Sequence, residues 1–216
     1  MADYIYTMEL RLTPNQQKGV IQVQDIARNA GMNVYLTGGA VRDIISGFPI
    51  RDLDFAVQGN PLKLQKEFER SGSVIGGADD DLKILYLTLP GGVRAEISSA
   101  RTERYEKTGK PPIIGPATII EDLRRRDFTV NAMALSLNPG SRGLLLDPFN
   151  GAADIESKLH ERAEKEISYN ELGDMVMENL QRLDQVAYVR FASVYRQFKD
   201  INQFMKELKD LLNKRV

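Results

Sequence analysis

The sequence predicts an α+β fold followed by a small helical tail, and three observations carry that expectation. Asn33 to Thr37 and Asp52 to Val57 are short runs rich in apolar and β-branched residues, each bounded by turn residues, which marks strands. Lys83 to Leu89 and Val93 to Ser98 flank Pro90-Gly91-Gly92 as a hairpin. Segments with helix start and stop signals lie between these strands, and from about Glu161 onward apolar residues recur at helical spacing.

Taken in order, Thr13 and Pro14 open a helix that Gly31 closes, with Val20, Val23, Ala27 and Ala30 three to four residues apart on its inner face. The first strand runs into Gly38-Gly39, and Ala40 to Ser46 form a short helix ended by Gly47. Pro61 to Ser71 read as a helix with proline at its first position, where the missing N–H costs nothing. Glu106 to Thr118, rich in proline and glycine, reads as a mobile loop beside the site. Glu121 to Leu137 read as mostly helical, and Gly143 to Leu146 as a last strand leading to Asp147-Pro148. In the tail, Leu172, Met175, Val176, Leu180 and Leu183, then Ile201, Phe204, Met205, Leu208, Leu211 and Leu212, keep a helical period. The chain therefore divides into residues 1–160 and a helical segment, 161–216.

At 216 residues, with 42% hydrophobic and 27% charged content, the chain suits a soluble globular protein of one ordinary domain plus an appendage. It has no cysteine, which excludes disulfides and thiolate zinc sites, and its single His160 cannot assemble a histidine metal site. A catalytic metal would be a hard cation held by oxygens, with Mg2+ first. The N-terminus lacks the basic start and apolar run of a secretory signal, and no stretch approaches the ~20 apolar residues of a membrane helix. The protein reads as cytoplasmic. A net charge of −1 exerts no global pull on nucleic acid, so RNA binding would rest on local patches such as Arg124-Arg125-Arg126.

Gly38-Gly39-Ala40-Val41-Arg42-Asp43 lies between a strand and a helix, where small residues let backbone N–H groups approach phosphate. Two glycines in a turn are more often just a turn. Asp52 and Asp54, two apart on a strand, point to one face, roughly 6.5–7 Å apart along the chain. Their mutual repulsion is relieved by a divalent cation, and two cations about 3.5–4 Å apart can activate an attacking hydroxyl and stabilise a leaving oxygen. An isolated Asp-x-Asp is more simply a solvent-facing strand; about ten residues after a glycine cradle and an arginine, that reading weakens.

Gly38-Gly39-Ala40-Val41-Arg42-Asp43, then Arg51-Asp52-Leu53-Asp54-Phe55, then Arg125-Arg126-Asp127-Phe128-Thr129-Val130-Asn131-Ala132 resemble the head domain of class II tRNA nucleotidyltransferases and poly(A) polymerases. The resemblance runs from about residue 3 to 159 and ends in Asp147-Pro148-Phe149-Asn150-Gly151. It implies a DNA polymerase β-type head, a mixed sheet flanked by helices, in which Asp52 and Asp54 are the catalytic carboxylates that coordinate Mg2+. It implies that Gly38, Gly39 and Arg42 hold the triphosphate and that Arg125, Arg126 and Asn131 contact nucleotide phosphate and sugar. Glu96 stands where such folds place a third carboxylate, although an exposed strand Glu is the simpler reading. The implied reaction is attack of an RNA 3′-hydroxyl, that of tRNA first, on the α-phosphate of ATP or CTP, by positioning and charge neutralisation.

After the head the resemblance changes. Glu171-Leu172-Gly173-Asp174-Met175-Val176-Met177 and Val186 to Arg196 are similar to the last half of the ATP cone of the bacterial repressor of ribonucleotide reductase genes, over about residues 165–212. The cone's basic phosphate-gripping segment, the repressor's zinc ribbon and the family's neck selector, Glu-Asp-x-x-Arg, are not expected here. Glu121-Asp122 belongs to the head. Helices taken from half a domain expose an apolar face, which makes a homodimer through 165–212 an expectation. Two other functions stay open: a non-catalytic nucleotide-binding or oligomerisation module, and nucleotidyl transfer to a non-RNA acceptor.

Overall fold

The first helix to follow the expected pattern, α2 (Pro14–Asn29), starts where Thr13 accepts from the Gln16 backbone and the Gln16 side chain returns to the Thr13 N–H, a reciprocal cap. In the computed structural model, which describes residues 4–106, 111–160, 173, 175–180, 185–195, 205 and 208–209, the chain forms two compact units, Met1–His160 and Glu161–Val216. A short helix, α1 (Tyr4–Arg11), precedes α2 and buries Met8. The sequence reading has no helix there, because a single buried residue in two turns leaves little period to detect.

The first unit is built on a seven-stranded mixed sheet. Its strands are β1 (Val34–Thr37), β2 (Leu53–Val57), β3 (Val74–Asp79), β4 (Ile84–Leu89), β5 (Val93–Ser99), β8 (Ala134–Ser136) and β9 (Leu145–Leu146), in the spatial order β3-β4-β5-β2-β1-β8-β9. The β2–β5 pair is parallel and the other pairings are antiparallel. One face carries Leu53, Phe55, Val57, Ala95, Ile97, Leu85 and Leu87 into the main core, with Val20, Val23 and Ala27 of α2 and Val41 and Ile44 of α3 (Gly38–Ser46). Each large side chain of this kind stabilises the fold by about 1.5–3 kcal/mol when fully buried. Part of the opposite face, Tyr35, Ala56 and Ala134, is covered by Ile119 and Leu123 of α5 (Ile119–Arg124).

The structure departs from the local expectations in four further places. Glu121 to Leu137 is not mostly helical: α5 ends at Arg124, residues 129–131 form a 3-10 turn, and Ala134 to Ser136 enter the sheet as β8. Met133, Ala134 and Leu135 are a short apolar run, which has the same appearance in a buried strand as in a buried helix. Ile113 to Pro116, expected to lie in a mobile loop, pair as β7 with β6 (Arg101–Arg104); residues 107–110 lie outside the described residues. The edge strand β3 was also not expected, since its half-exposed, glycine-containing stretch lacks apolar alternation. Pro61 to Ser71 splits into a 3-10 turn, Pro61–Leu64, and α4 (Gln65–Arg70).

The head unit closes with α6 (Gly151–His160), whose first N–H groups, from Gly151 and Ala152, donate to the Asp147 carboxylate at 2.7 and 2.9 Å. In the second unit, residues 175–180 are helical and α7 spans Gln185–Tyr195. Met177, Tyr188, Val189 and Ala192 form a small core of their own with Leu180, Phe191 and Leu208. Most of the 165–212 segment expected to dimerise lies outside the described residues. Among the described residues no helix is long and apolar enough to cross a membrane.

Candidate active site

Gly38 begins α3 with φ +62, a left-handed conformation that glycine adopts without the penalty a Cβ would bring. Thr37 precedes it in extended conformation and makes no side-chain cap, so the first N–H groups of α3 are not satisfied from that residue. A Cβ on Gly38 would stand 3.4 Å from Arg126 Nη1 and 3.5 Å from Asp54 Oδ2; one on Gly39 would stand 3.4 Å from Arg42 Nη2 and 3.9 Å from Asp54 Oδ2. The glycines thus keep a bare backbone surface directly beside a carboxylate and two guanidinium groups.

Asp54 is the second residue of β2, and Asp52 stands just before that strand rather than within it. Register places Asp54 opposite Glu96 of β5, so the two carboxylates share a face. Burial, then Glu96 and Asp52, push the Asp54 carboxyl up to about 7, against the opposing pull of Arg126 and Arg42. Burial likewise raises Glu96, with Arg101 and Arg126 opposing. Asp52 faces Arg94, whose Nε lies 2.9 Å from Oδ1 and whose Nη2 donates to Oδ2 at 3.2 Å. The Nε contact lacks hydrogen-bond geometry, and Asp52 Oδ1 is a buried oxygen with no hydrogen-bond donor among the described residues.

A divalent cation fits this donor set chemically. It would satisfy the orphaned Asp52 oxygen and offset the like charges that raise Asp54. Among the described residues no ready-made group of three such ligands exists, so two carboxylates would leave the remaining positions to phosphate oxygens and water, as Mg2+ commonly accepts.

Arg42 donates through Nη1 to Asn131 Oδ1 at 3.1 Å and is held on its other side by the buried Asp43, 2.8 Å from Nη2. Arg126 donates through Nη1 to the Asn131 carbonyl at 3.3 Å, and its buried Nε has no hydrogen-bond partner among the described residues. The fold thus gathers Gly38, Gly39, Arg42, Arg126 and Asn131 around Asp54, with Asp52 and Glu96 beside it. Arg125 is engaged differently: Nε and Nη2 donate to Asp122 Oδ1 at 3.0 and 2.8 Å, and Nη1 to Glu103 Oε1 at 2.9 Å.

Asp122 belongs to the head and has no expected role in the site. Its carboxylate is fully buried and also accepts from the Arg101 N–H at 3.1 Å and from Arg126 Nη2 at 3.0 Å. The available signal was its spacing of three and four residues before Arg125 and Arg126, which places all three on one helical side. Arg94 had no motif to mark it.

The model of the poly A polymerase head domain matches residues 34–161, more than half of the chain. The chain belongs to the poly A polymerase head domain family. An A-adding tRNA nucleotidyltransferase of Aquifex aeolicus (strain VF5) is 40% identical over 128 residues, 59% of this chain and 15% of that protein. A solved structure, the Thermotoga maritima CCA-adding enzyme complexed with tRNA, superposes with a TM-score of 0.60 at 27% identity, covering 99% of this chain and 46% of that one. The head has the nucleotidyltransferase fold of CCA-adding enzymes, and the chain spans less than half of each of these two relatives. Behind the head, the ATP cone domain model matches residues 147–201, beginning earlier than the expected 165 and overlapping the head match. The transcriptional repressor NrdR of Caldicellulosiruptor bescii is 41% identical over 119 residues, 54% of this chain and 76% of the repressor. That alignment is longer than the half-cone of the sequence reading.

Proposed function

We propose that the head transfers a nucleotidyl group from ATP or CTP to the 3′-hydroxyl of an RNA, with Mg2+ as cofactor and a tRNA end as the first acceptor. The observation that carries this reading is the convergence on Asp54 of two further carboxylates, a side-chain-free glycine turn and two arginines. The names of the similar proteins, an A-adding tRNA nucleotidyltransferase and a CCA-adding enzyme complexed with tRNA, support the choice of RNA as acceptor.

In the reaction the 3′-oxygen forms a bond to the α-phosphorus, the bridging α–β bond breaks, pyrophosphate leaves and the hydroxyl proton is released. Gly38 and Gly39 offer backbone N–H groups to the triphosphate, and Arg42 and Arg126 supply fixed positive charge there. Asn131 holds Arg42 through its side chain and Arg126 through its carbonyl, so both guanidinium groups are placed before substrate arrives. Asp52 and Asp54 would hold the cation, which supplies activation of the attacking oxygen and neutralisation of the leaving one. Glu96 borders the carboxylate pair on the β5 side. Arg125 contributes indirectly, by tying Asp122 to Glu103.

Incubation of tRNA ending before its CCA with labelled ATP or CTP and Mg2+ tests the reading. The wild type should extend the RNA, and Asp52→Ala should lower the rate by about 10³-fold, the scale of losing a principal charge-stabilising group. Absence of incorporation by the wild type, or equal incorporation by Asp52→Ala, overturns it. Nucleotide binding without turnover would favour a non-catalytic module.

A further inference from the structure

Cross-strand register extends the site beyond the carboxylates. Asp54 pairs with Glu96, Glu96 with Tyr86 of β4, and Tyr86 with Gly77 of β3, so one row crosses four strands on a single face. One step further along, the same face carries Ala56, which α5 covers; at the Asp54 row Asp54 and Glu96 are half-buried and the face becomes exposed only at Tyr86. Tyr86 is 42% exposed there, a large aromatic on a strand whose neighbours Leu85 and Leu87 are buried. Its flank toward β3 is bare: a Cβ on Gly77 would lie 3.7 Å from Tyr86 Cδ2, and one on Gly76 would lie 3.6 Å from the Tyr86 carbonyl oxygen. Arg94, two residues before Glu96 and so on the same face, is exposed while its guanidinium pairs with Asp52.

We propose that Tyr86 is a stacking platform for the terminal base of the acceptor RNA. The proposal rests on the nucleotidyltransferase reading above and adds the side from which the acceptor enters. Strand order decides that side. The triphosphate cradle of Gly38, Gly39, Arg42 and Arg126 lies toward β1 and α3, whereas Glu96, Tyr86 and Gly77 lie on the other side of β2. Displacement at phosphorus places the attacking and leaving oxygens roughly in line, on opposite sides of the reacting centre. With pyrophosphate leaving on the β1 side, the acceptor approaches over β5 and β4. Tyr86 is two strand spacings from Asp54, roughly 10 Å, a span a single nucleotide bridges with its 3′-oxygen at the carboxylates and its base over the ring. Arg94 is placed to meet the phosphate behind that nucleotide. Stacking on one aromatic tolerates any base, so the platform binds the end of a strand without reading its sequence.

A tyrosine opposite glycines can also serve only to fill the space they leave, and the test separates the two roles. A tRNA lacking its CCA, with 2-aminopurine as its 3′-terminal base, is titrated with the 216-residue wild type, Tyr86→Phe and Tyr86→Leu, and each protein's melting temperature is recorded. Leucine fills volume but has no ring face. Wild type and Tyr86→Phe should quench the fluorophore, and Tyr86→Leu should melt like wild type yet lose quenching and weaken RNA binding about 10-fold. In turnover the effect should fall on the KM for RNA rather than on that for ATP. Equal quenching by Tyr86→Leu, or a change in the ATP KM with the RNA KM unmoved, overturns the platform. A wild type that incorporates nucleotide while Tyr86→Leu behaves identically sinks the platform alone. Tyr86-dependent quenching without incorporation sinks the transferase reading and leaves the platform standing.

Discussion

Asp54 shows how one side chain is set by its surroundings. Burial and the negative charges of Glu96 and Asp52 outweigh Arg126 and Arg42, and its carboxyl rises from 3.8 to about 7. Between those values the folded chain keeps a proton that the unfolded chain has lost, so this group makes stability fall as pH rises from about 4 to about 7; below that window both states are protonated and above it both are ionised. Asp54→Asn, measured in EDTA, should therefore melt above the wild type at pH 8, with the gap closing toward pH 4. A gap that does not change with pH would mean that Asp54 is not held in a charge-averse site. The pair of aspartates was legible from its spacing only together with the glycine turn and arginine about ten residues ahead of it and the family resemblance of those motifs. The position of Asp52 outside the strand, against Arg94, was not, because an arginine on another strand leaves no mark near Asp52 in the sequence.

At the scale of the element, α5 joins packing to the site. Thr118 and Glu121 cap its start, Ile119 and Leu123 cover the sheet, and Asp122, buried on the same side of the helix, accepts from the arginines. Removing a buried partner leaves charge uncompensated. Asp122→Ala should destabilise the head by about 3 kcal/mol in urea denaturation, and a loss below about 0.5 kcal/mol would place the pair in the class of exposed ion pairs. The helix α2 and the β4–β5 hairpin were legible because caps, periodicity and turn glycines are local signals. Residues 126–137 were not, because whether a short apolar run becomes helix or strand depends on the neighbour that covers it.

At the scale of the whole molecule, residues 1–160 and 161–216 form two compact units, and among the described residues the main core lies entirely in the first. A chain ending at residue 160 should show a single cooperative thermal transition and retain ATP binding. By light scattering across concentrations, the full chain should associate through 165–212 and the 1–160 chain should remain monomeric; a monomeric full chain removes the dimer. The sequence by itself determined the chemistry available: a glycine turn, carboxylates, arginines, no cysteine and a single histidine, arranged in motifs close enough along the chain to be read directly. Only the tertiary structure decided which of these groups meet. It turned Arg126 toward Asp54 and Arg125 toward Glu103, covered one part of the sheet with α5, and aligned Tyr86 with Glu96 and Asp54. Cross-strand neighbours are set by register between segments far apart in sequence, and charge properties by burial, and neither quantity is a property of a local stretch.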